Sequence, residues 1–559
     1  MAELYVKKMT DDVYLLDEDH AATGYLVVGS EKACVIDTMN GACNLYEEVR
    51  KLTDKPLVIV NTHGHPDHIF GNMYFDNALI NPADLELAKF FAEGPEFIKI
   101  LEEKNRKMPA FESIFEGDII DLGNLHLKVY ELPGHTPGGV VLLLEEERIL
   151  FTGDGINHHL WMQLDHSVPM SYFLKSLDRI MFLEEKADKI LHGHAHDFDD
   201  ISLLRAVRDG AEEICNEMTE KDPDYQYFGG NVKQHPFKCR PDKVYQQPDH
   251  VICYNPGKQV PKRVFEMRMA WAEGDAKRDE GLQAPDTIDG FRNILYGPHC
   301  FWNLMDLYIP KDKSKNAGNG SKWPVIVCIH GGGWFYGDKE LYRFYCMHLA
   351  EFGFAVVNFN YRLAPENKFP SPIEDTAAVF KWISDNADKY DLDKNNIFMT
   401  GDSAGAQLVS QMACIVSNPE YASLFDINIP ADLKFNAVSL ACGVYSFPSM
   451  EEIEKISDHV TDYFEDISIL NDPRTKVLDH ITDKYPPAYV FSSYCDFLYS
   501  ECEPMSKLIS SRGAESEFEI FGSPDRMDIG HVFHVNMKLE EGERANKAQI
   551  KFFKKYIKN

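Results

Sequence analysis

The chain has 559 residues, 89 acidic against 57 basic, for a formal net charge of −32. That acidity excludes a partner held through its phosphates, because nucleic-acid affinity is drawn from clustered Lys and Arg. A hydrophobic content of 44% excludes a disordered chain, and the length exceeds what one core serves, so at least two domains are expected.

No run of 18 apolar residues predicts a membrane-spanning helix. The opening residues lack the apolar stretch of a signal peptide, and the 12 cysteines contain no CxxC pair. Free thiols in a reducing compartment, and hence a cytoplasmic protein, are expected. Residues 1–250 hold 14 of the 21 histidines and a net charge of −21 (24 basic, 45 acidic), against −11 in the remainder. Pro236, Pro241, Pro248, Pro256 and Pro261 favour extended or turn backbone. The chain therefore divides into residues 1–240, a linker at 241–262 and a second domain at 263–559.

In chain order, the β-rich runs at 24–28 and 33–38 predict a hairpin. A buried strand, Leu57 to Val60, then ends in His63-Gly64-His65-Pro66-Asp67-His68. A strand end fixes the first ligand-type residues, and the following turn aims the last two at a neighbouring point. Imidazole and carboxylate without thiolate suit Zn, Fe or Mn. Residues 85–107 have helical spacing broken at Gly94-Pro95, which fits a lid or ordinary packing. Later strand ends supply His135, Asp154 and His194, the last with His192 and His196 as competitors. His158 and His159 are candidates for substrate contact or exposed loop residues.

On these motifs, residues 10–210 resemble the metallo-β-lactamase fold superfamily. The resemblance implies an αββα sandwich binding two divalent metal ions, Zn above all, with Fe or Mn as alternatives. It implies His63, His65 and His135 on one ion, Asp67, His68 and His194 on the other, and Asp154 between them. The family's ligand directly follows glycine, which favours His194. His65 stands where the oxygen-reducing diiron branch has Glu, and Asp154 where dizinc β-lactamases commonly have Cys. The pattern is similar to glyoxalase II and the lactonases.

From about residue 290, strands alternate with helices, the pattern of a mostly parallel sheet. The strand Val325 to Ile329 leads into His330-Gly331-Gly332-Gly333. Gly401-Asp402-Ser403-Ala404-Gly405 lies between an apolar strand and a helix, as a nucleophile elbow requires. Backbone amides of Gly331, Gly332 and Ala404 are the expected oxyanion donors. Asp496 follows a further strand as the expected acid, and His531 and His534 are candidates for the base. This half resembles the hormone-sensitive-lipase-like branch of the α/β-hydrolases over about 285–555. Its His-Gly-Phe motif reads His531-Val532-Phe533 here, which favours His531. Tyr361 to Glu366 is expected to support the elbow through Arg362, and segments 262–285 and 446–482 to form a cap.

The expectation is a bifunctional hydrolase. A dinuclear metal site would cleave a lactone, thioester or related carbonyl bond, and a serine carboxylesterase would cleave small acyl esters. Neutral small molecules are the expected substrates, with no nucleic acid, no membrane span and an oligomer left open. The alternatives are an iron oxygenase of sulfur compounds in the metal half, or a non-catalytic binding or dimerisation module in one domain.

Overall fold

The computed structural model describes residues 4–18, 20–226, 231–237, 250–318, 320–447 and 461–558. The chain divides into two compact units, Met1–Phe265 and Glu266–Asn559.

In the first unit, a seven-stranded sheet running from Tyr5–Lys8 to Ala110–Ser113 packs on a six-stranded sheet spanning Ile119–Asp121 to Asp199–Asp200. Side-chain alternation explains the layering. In the strand Val140–Leu144 all five residues are buried. Leu142 and Leu144 point into the core between the sheets, with Val27, Ile36 and Phe151. Val141 and Leu143 point the other way, onto Phe173, Leu174 and Leu177 of the helix Met170–Ile180 and Val207 of Ser202–Cys215. In the other sheet, Leu26 packs on Leu45 and Val49 of the helix Leu45–Arg50. The result is the expected αββα sandwich. The stretch 85–107 forms two helices, Leu85–Ala92 and Pro95–Lys104, divided where glycine and proline break the pattern.

Of the expected linker, residues 241–249 lie outside the described residues. Val251–Tyr254 is a fully buried strand paired with His159–Trp161 and Val232–Pro236. Its Val-Ile-Cys-Tyr run has strand propensity, and the flanking prolines punctuate that strand.

The second unit is built on one eight-stranded sheet. Ile288–Leu295 and Leu304–Pro310 are antiparallel to their neighbours. The strands Ala355–Phe359, Trp323–Ile329, Leu392–Asp402, Phe435–Ala441, Ala488–Ser493 and Ser516–Phe521 follow in parallel. Parallel strands covered on both faces read as continuous apolar runs, and Trp323–Ile329 is buried at all seven positions. The carboxyl ends of such strands are where an open α/β sheet presents its ligand crevice. Of the expected cap, Trp271 and Arg278 of the helix Lys262–Asp279 and Phe447 line that crevice, while residues 448–460 lie outside the described residues.

Candidate active sites

In the first unit, the strands Leu57–Val60, Ile149–Gly153 and Lys189–His192 end beside one another, and their following residues converge with the loop after His126–Glu131. His65 Nδ1 lies 3.1 Å from His63 Nε2 and 2.9 Å from His135 Nε2. Asp67 Oδ2 lies 3.7 Å from His68 Nε2 and 3.9 Å from His194 Nε2. Asp154 stands between the two sets, Oδ1 being 3.6 Å from His68 Nε2 and Oδ2 3.7 Å from His135 Nε2 and 3.1 Å from His194 Nε2. All seven expected residues are thus brought together.

The outer imidazole nitrogens are held by other groups, which fixes each ring's orientation. His68 Nδ1 meets Asp37 Oδ2 at 2.9 Å, His135 Nδ1 meets the Trp161 carbonyl at 2.6 Å, and His194 Nδ1 meets the Ala21 carbonyl. Burial and the neighbouring imidazoles push the pKa of His63 and His65 down. Burial alone would lower that of His68, but Asp67, Asp37 and Asp154 raise it well above the ordinary value. Among the described residues, the buried atoms His68 Nε2 and Asp154 Oδ1 have no hydrogen-bond partner. Two such atoms facing one another amid imidazole and carboxylate donors fit a divalent cation. Three groups of these residues have ligand atoms within 4.8 Å of one another: His63, His65 and His135; His63, His68 and Asp154; Asp67, His68 and His194.

Several residues of this site went unrecognised in the sequence. Asp37, closing a buried strand, accepts from Thr62 N–H at 2.7 Å and orients His68. Asp84 accepts from Gly64 N–H, Gly138 N–H and Thr136 Oγ1 at 2.8, 2.6 and 2.7 Å, tying the 63–65 loop to the 135–138 loop. A side chain at 138 would place Cβ 2.6 Å from the Asp84 nitrogen, so glycine is required there. His166 Nε2 lies 2.6 Å from His65 Nε2, on the wall of a cavity of about 560 Å³. That cavity also carries Phe91, His159 and Trp161, so the helix Leu85–Ala92 and one of the two candidate loop histidines do reach it. His158 is buried beside Asp199 instead. His192 accepts from the His194 N–H through Nδ1 and directs Nε2 to Asp199, which leaves His194 as the residue facing Asp154.

In the second unit, Ser403 sits between the strand Leu392–Asp402 and the helix Ala404–Ser417 with φ 53° and ψ −121°. This is the sharp, strained turn of a nucleophile elbow. A Cβ on Gly405 would lie 2.1 Å from the Ile329 carbonyl oxygen, which explains the glycine. Asp496 follows the strand Ala488–Ser493, and its Oδ1 is 2.8 Å from His531 Nδ1. Ser492 Oγ and Leu498 N–H also donate to this carboxylate, at 2.7 and 2.9 Å. Burial would raise its pKa, but His531 and these donors hold it below the ordinary value. His534 is fully buried against Tyr345 and Phe491, where burial pushes it down to about 3. His531 is therefore the histidine paired with the acid. Ser403 and His531 share a crevice of about 950 Å³ with Trp271, Trp334 and Phe497.

Two details differ from expectation. Gly331 N–H donates to Tyr342 Oη at 3.0 Å, whereas no acceptor for the amides of Gly332 and Ala404 is found among the described residues. Arg362 binds Glu374 and Asp375 of the helix Ser371–Asn386 rather than the elbow. Tyr361 supplies the link to the glycine loop, donating to the His330 carbonyl at 3.0 Å.

Residues 18–204 match the metallo-beta-lactamase superfamily model and residues 305–502 the BD-FAE model. Esterase LipQ of Mycobacterium tuberculosis is 26% identical over 226 residues, covering 39% of this chain and 50% of that protein. Carboxylic ester hydrolase LipN of the same organism is 25% identical over 294 residues, covering 48% and 77%. Arylacetamide deacetylase of Bos taurus is 34% identical over 135 residues, covering 23% and 32%. The chain thus spans half or less of two of these relatives. A phosphonate-inhibited esterase B from Lactobacillus rhamnosis is a structural neighbour at 25% identity and TM-score 0.48, covering 53% of this chain and 94% of that one. The chain joins a metallo-β-lactamase-superfamily domain, matched over residues 18–204, to a domain of α/β-hydrolase fold matched over residues 305–502.

Proposed function

We propose that the chain is a two-site hydrolase: a serine carboxylesterase acting on small neutral acyl esters, and a dinuclear metallohydrolase acting on a lactone, thioester or related carbonyl bond. The observation that carries the esterase half is the 2.8 Å Asp496–His531 pair in one crevice with a serine on a strained elbow, and the metal half is supported by the three groups of ligand atoms within 4.8 Å of one another. Ser403 Oγ attacks the acyl carbon as His531 takes its proton, and Asp496 holds the imidazole in the required tautomer. The Gly332 and Ala404 amides stabilise the charge on the acyl oxygen. His531 then returns the proton to the departing alcohol, and water releases the acid.

In the first unit, His63, His65 and His135 would hold one divalent ion, Asp67, His68 and His194 a second, with Asp154 shared. Two bound divalent ions supply Lewis acidity and a water of lowered pKa. Asp37, Asp84 and the Trp161 carbonyl keep the ligands oriented, and Phe91 and Trp161 offer apolar surface to a substrate. All 11 described cysteines are free thiols, which supports a cytoplasmic location. No helix among the described residues is long and apolar enough to cross a membrane. The test is metal analysis together with an ester, lactone and thioester panel. Two zinc or manganese ions per chain and Ser403-dependent ester turnover are expected. One iron with oxygen uptake would replace the metal half of this reading with oxygenase chemistry.

A further inference from the structure

The glycine loop and the nucleophile elbow are joined by one hydroxyl. Tyr342 Oη donates to Asp402 Oδ2 at 2.7 Å and accepts from Gly331 N–H at 3.0 Å. Tyr342 and Asp402 are 7% and 1% exposed, so these bonds are largely shielded from bulk water. Asp402 ends the strand Leu392–Asp402 and immediately precedes Ser403. The two segments touch: a Cβ on Gly331 would lie 2.9 Å from the Asp402 carbonyl oxygen and 3.2 Å from Ser403 Cβ. A hydroxyl has one proton to give and lone pairs to receive, so Tyr342 satisfies both partners at once. Phenylalanine would fill the same space and satisfy neither.

We propose that Tyr342, acting through Asp402, is a positioning residue that fixes the 330–333 loop against the elbow. It thereby sets where the Gly332 amide lies relative to that of Ala404. The inference rests on the serine-esterase reading above. Donors to a developing oxyanion act only when already in place, and small displacements are costly in rate. Tyr342 is thus expected to affect the chemical step rather than substrate affinity.

The test uses the full chain with p-nitrophenyl butyrate, and a trifluoromethyl ketone as the probe of oxyanion binding. Tyr342→Phe is expected to lower kcat about 10- to 100-fold with KM within about threefold, and to weaken the ketone by the same factor. Asp402→Asn keeps an oxygen that accepts from Tyr342 and is expected to retain most of kcat; Asp402→Ala is not. Tyr345→Phe removes another buried hydroxyl, bonded to Gln549, and controls for stability alone. Wild-type kcat in Tyr342→Phe, or an equal loss in Tyr345→Phe, overturns the proposal while leaving the esterase reading intact. Should Tyr342→Phe not fold, Asp402→Ala with wild-type kcat and ketone affinity overturns it instead. Unchanged ester turnover in Ser403→Ala overturns both.

Discussion

Replacing Asp84 by Asn tests whether the metal cage depends on a carboxylate that touches no ligand side chain. Asp84 is fully buried, with Oδ2 shared by Gly64 N–H and Thr136 Oγ1 and Oδ1 taken by Gly138 N–H. An amide must put NH₂ where one oxygen stood. At the Oδ1 position it faces the Gly138 N–H across 2.6 Å, so two buried donors meet with no acceptor. Each unsatisfied group costs about 1–3 kcal/mol, giving a loss of about 2–6 kcal/mol in the metal-free protein. Gly64 lies between His63 and His65, and Thr136 follows His135, so both loops lose their register. Disturbing groups that orient metal ligands typically lowers affinity about 10- to 100-fold. Chemical denaturation of the apo chain and metal titration against a chromophoric chelator measure the two effects. Stability within about 0.5 kcal/mol of wild type and affinity within twofold would refute this reasoning.

Further predictions follow from the same geometry. Asp402 is pushed by burial up to about 6, with Tyr342, His531 and Arg278 as the titratable or charged groups acting on it. An acid whose pKa rises on folding stabilises the fold below its unfolded pKa, and that contribution fades as pH rises through about 6. The stability of wild type relative to Asp402→Asn should therefore fall by about 2 kcal/mol between pH 4 and 7 in denaturant titrations, and a flat difference would contradict it. His531→Gln should lower ester kcat by at least about 10³-fold, and His534→Gln by only a few-fold, in steady-state assays. Chelation should abolish lactone or thioester turnover and leave Ser403-dependent ester turnover unchanged.

What the sequence made legible was whatever is local in the chain. The 63–68 run packs four cage residues into one strand end, and the 401–405 pentapeptide carries its own turn requirement, so both could be read directly. Asp37, Asp84 and His166 could not, because each meets its partners only after folding: His166 reaches His65 from 101 positions away. Asp37 left a faint signal, a buried charge closing the apolar run Ala33–Ile36. Gly331 shows a different limit. The motif marks a bare backbone, but which amide is spent within the protein depends on a tyrosine 11 residues on. The five prolines between 236 and 261 read as a linker because their density hides the short run Val251–Tyr254, a buried strand among the described residues.

The central claim is that one chain carries two independent hydrolytic sites. Its most direct test is a panel of esters, lactones and thioesters run on wild type, Ser403→Ala and the double variant His65→Ala/Asp67→Ala. Ser403→Ala is expected to remove ester turnover alone, and the double variant to remove the metal-dependent reactions alone. Loss of all turnover in either variant, or of none in both, would contradict it.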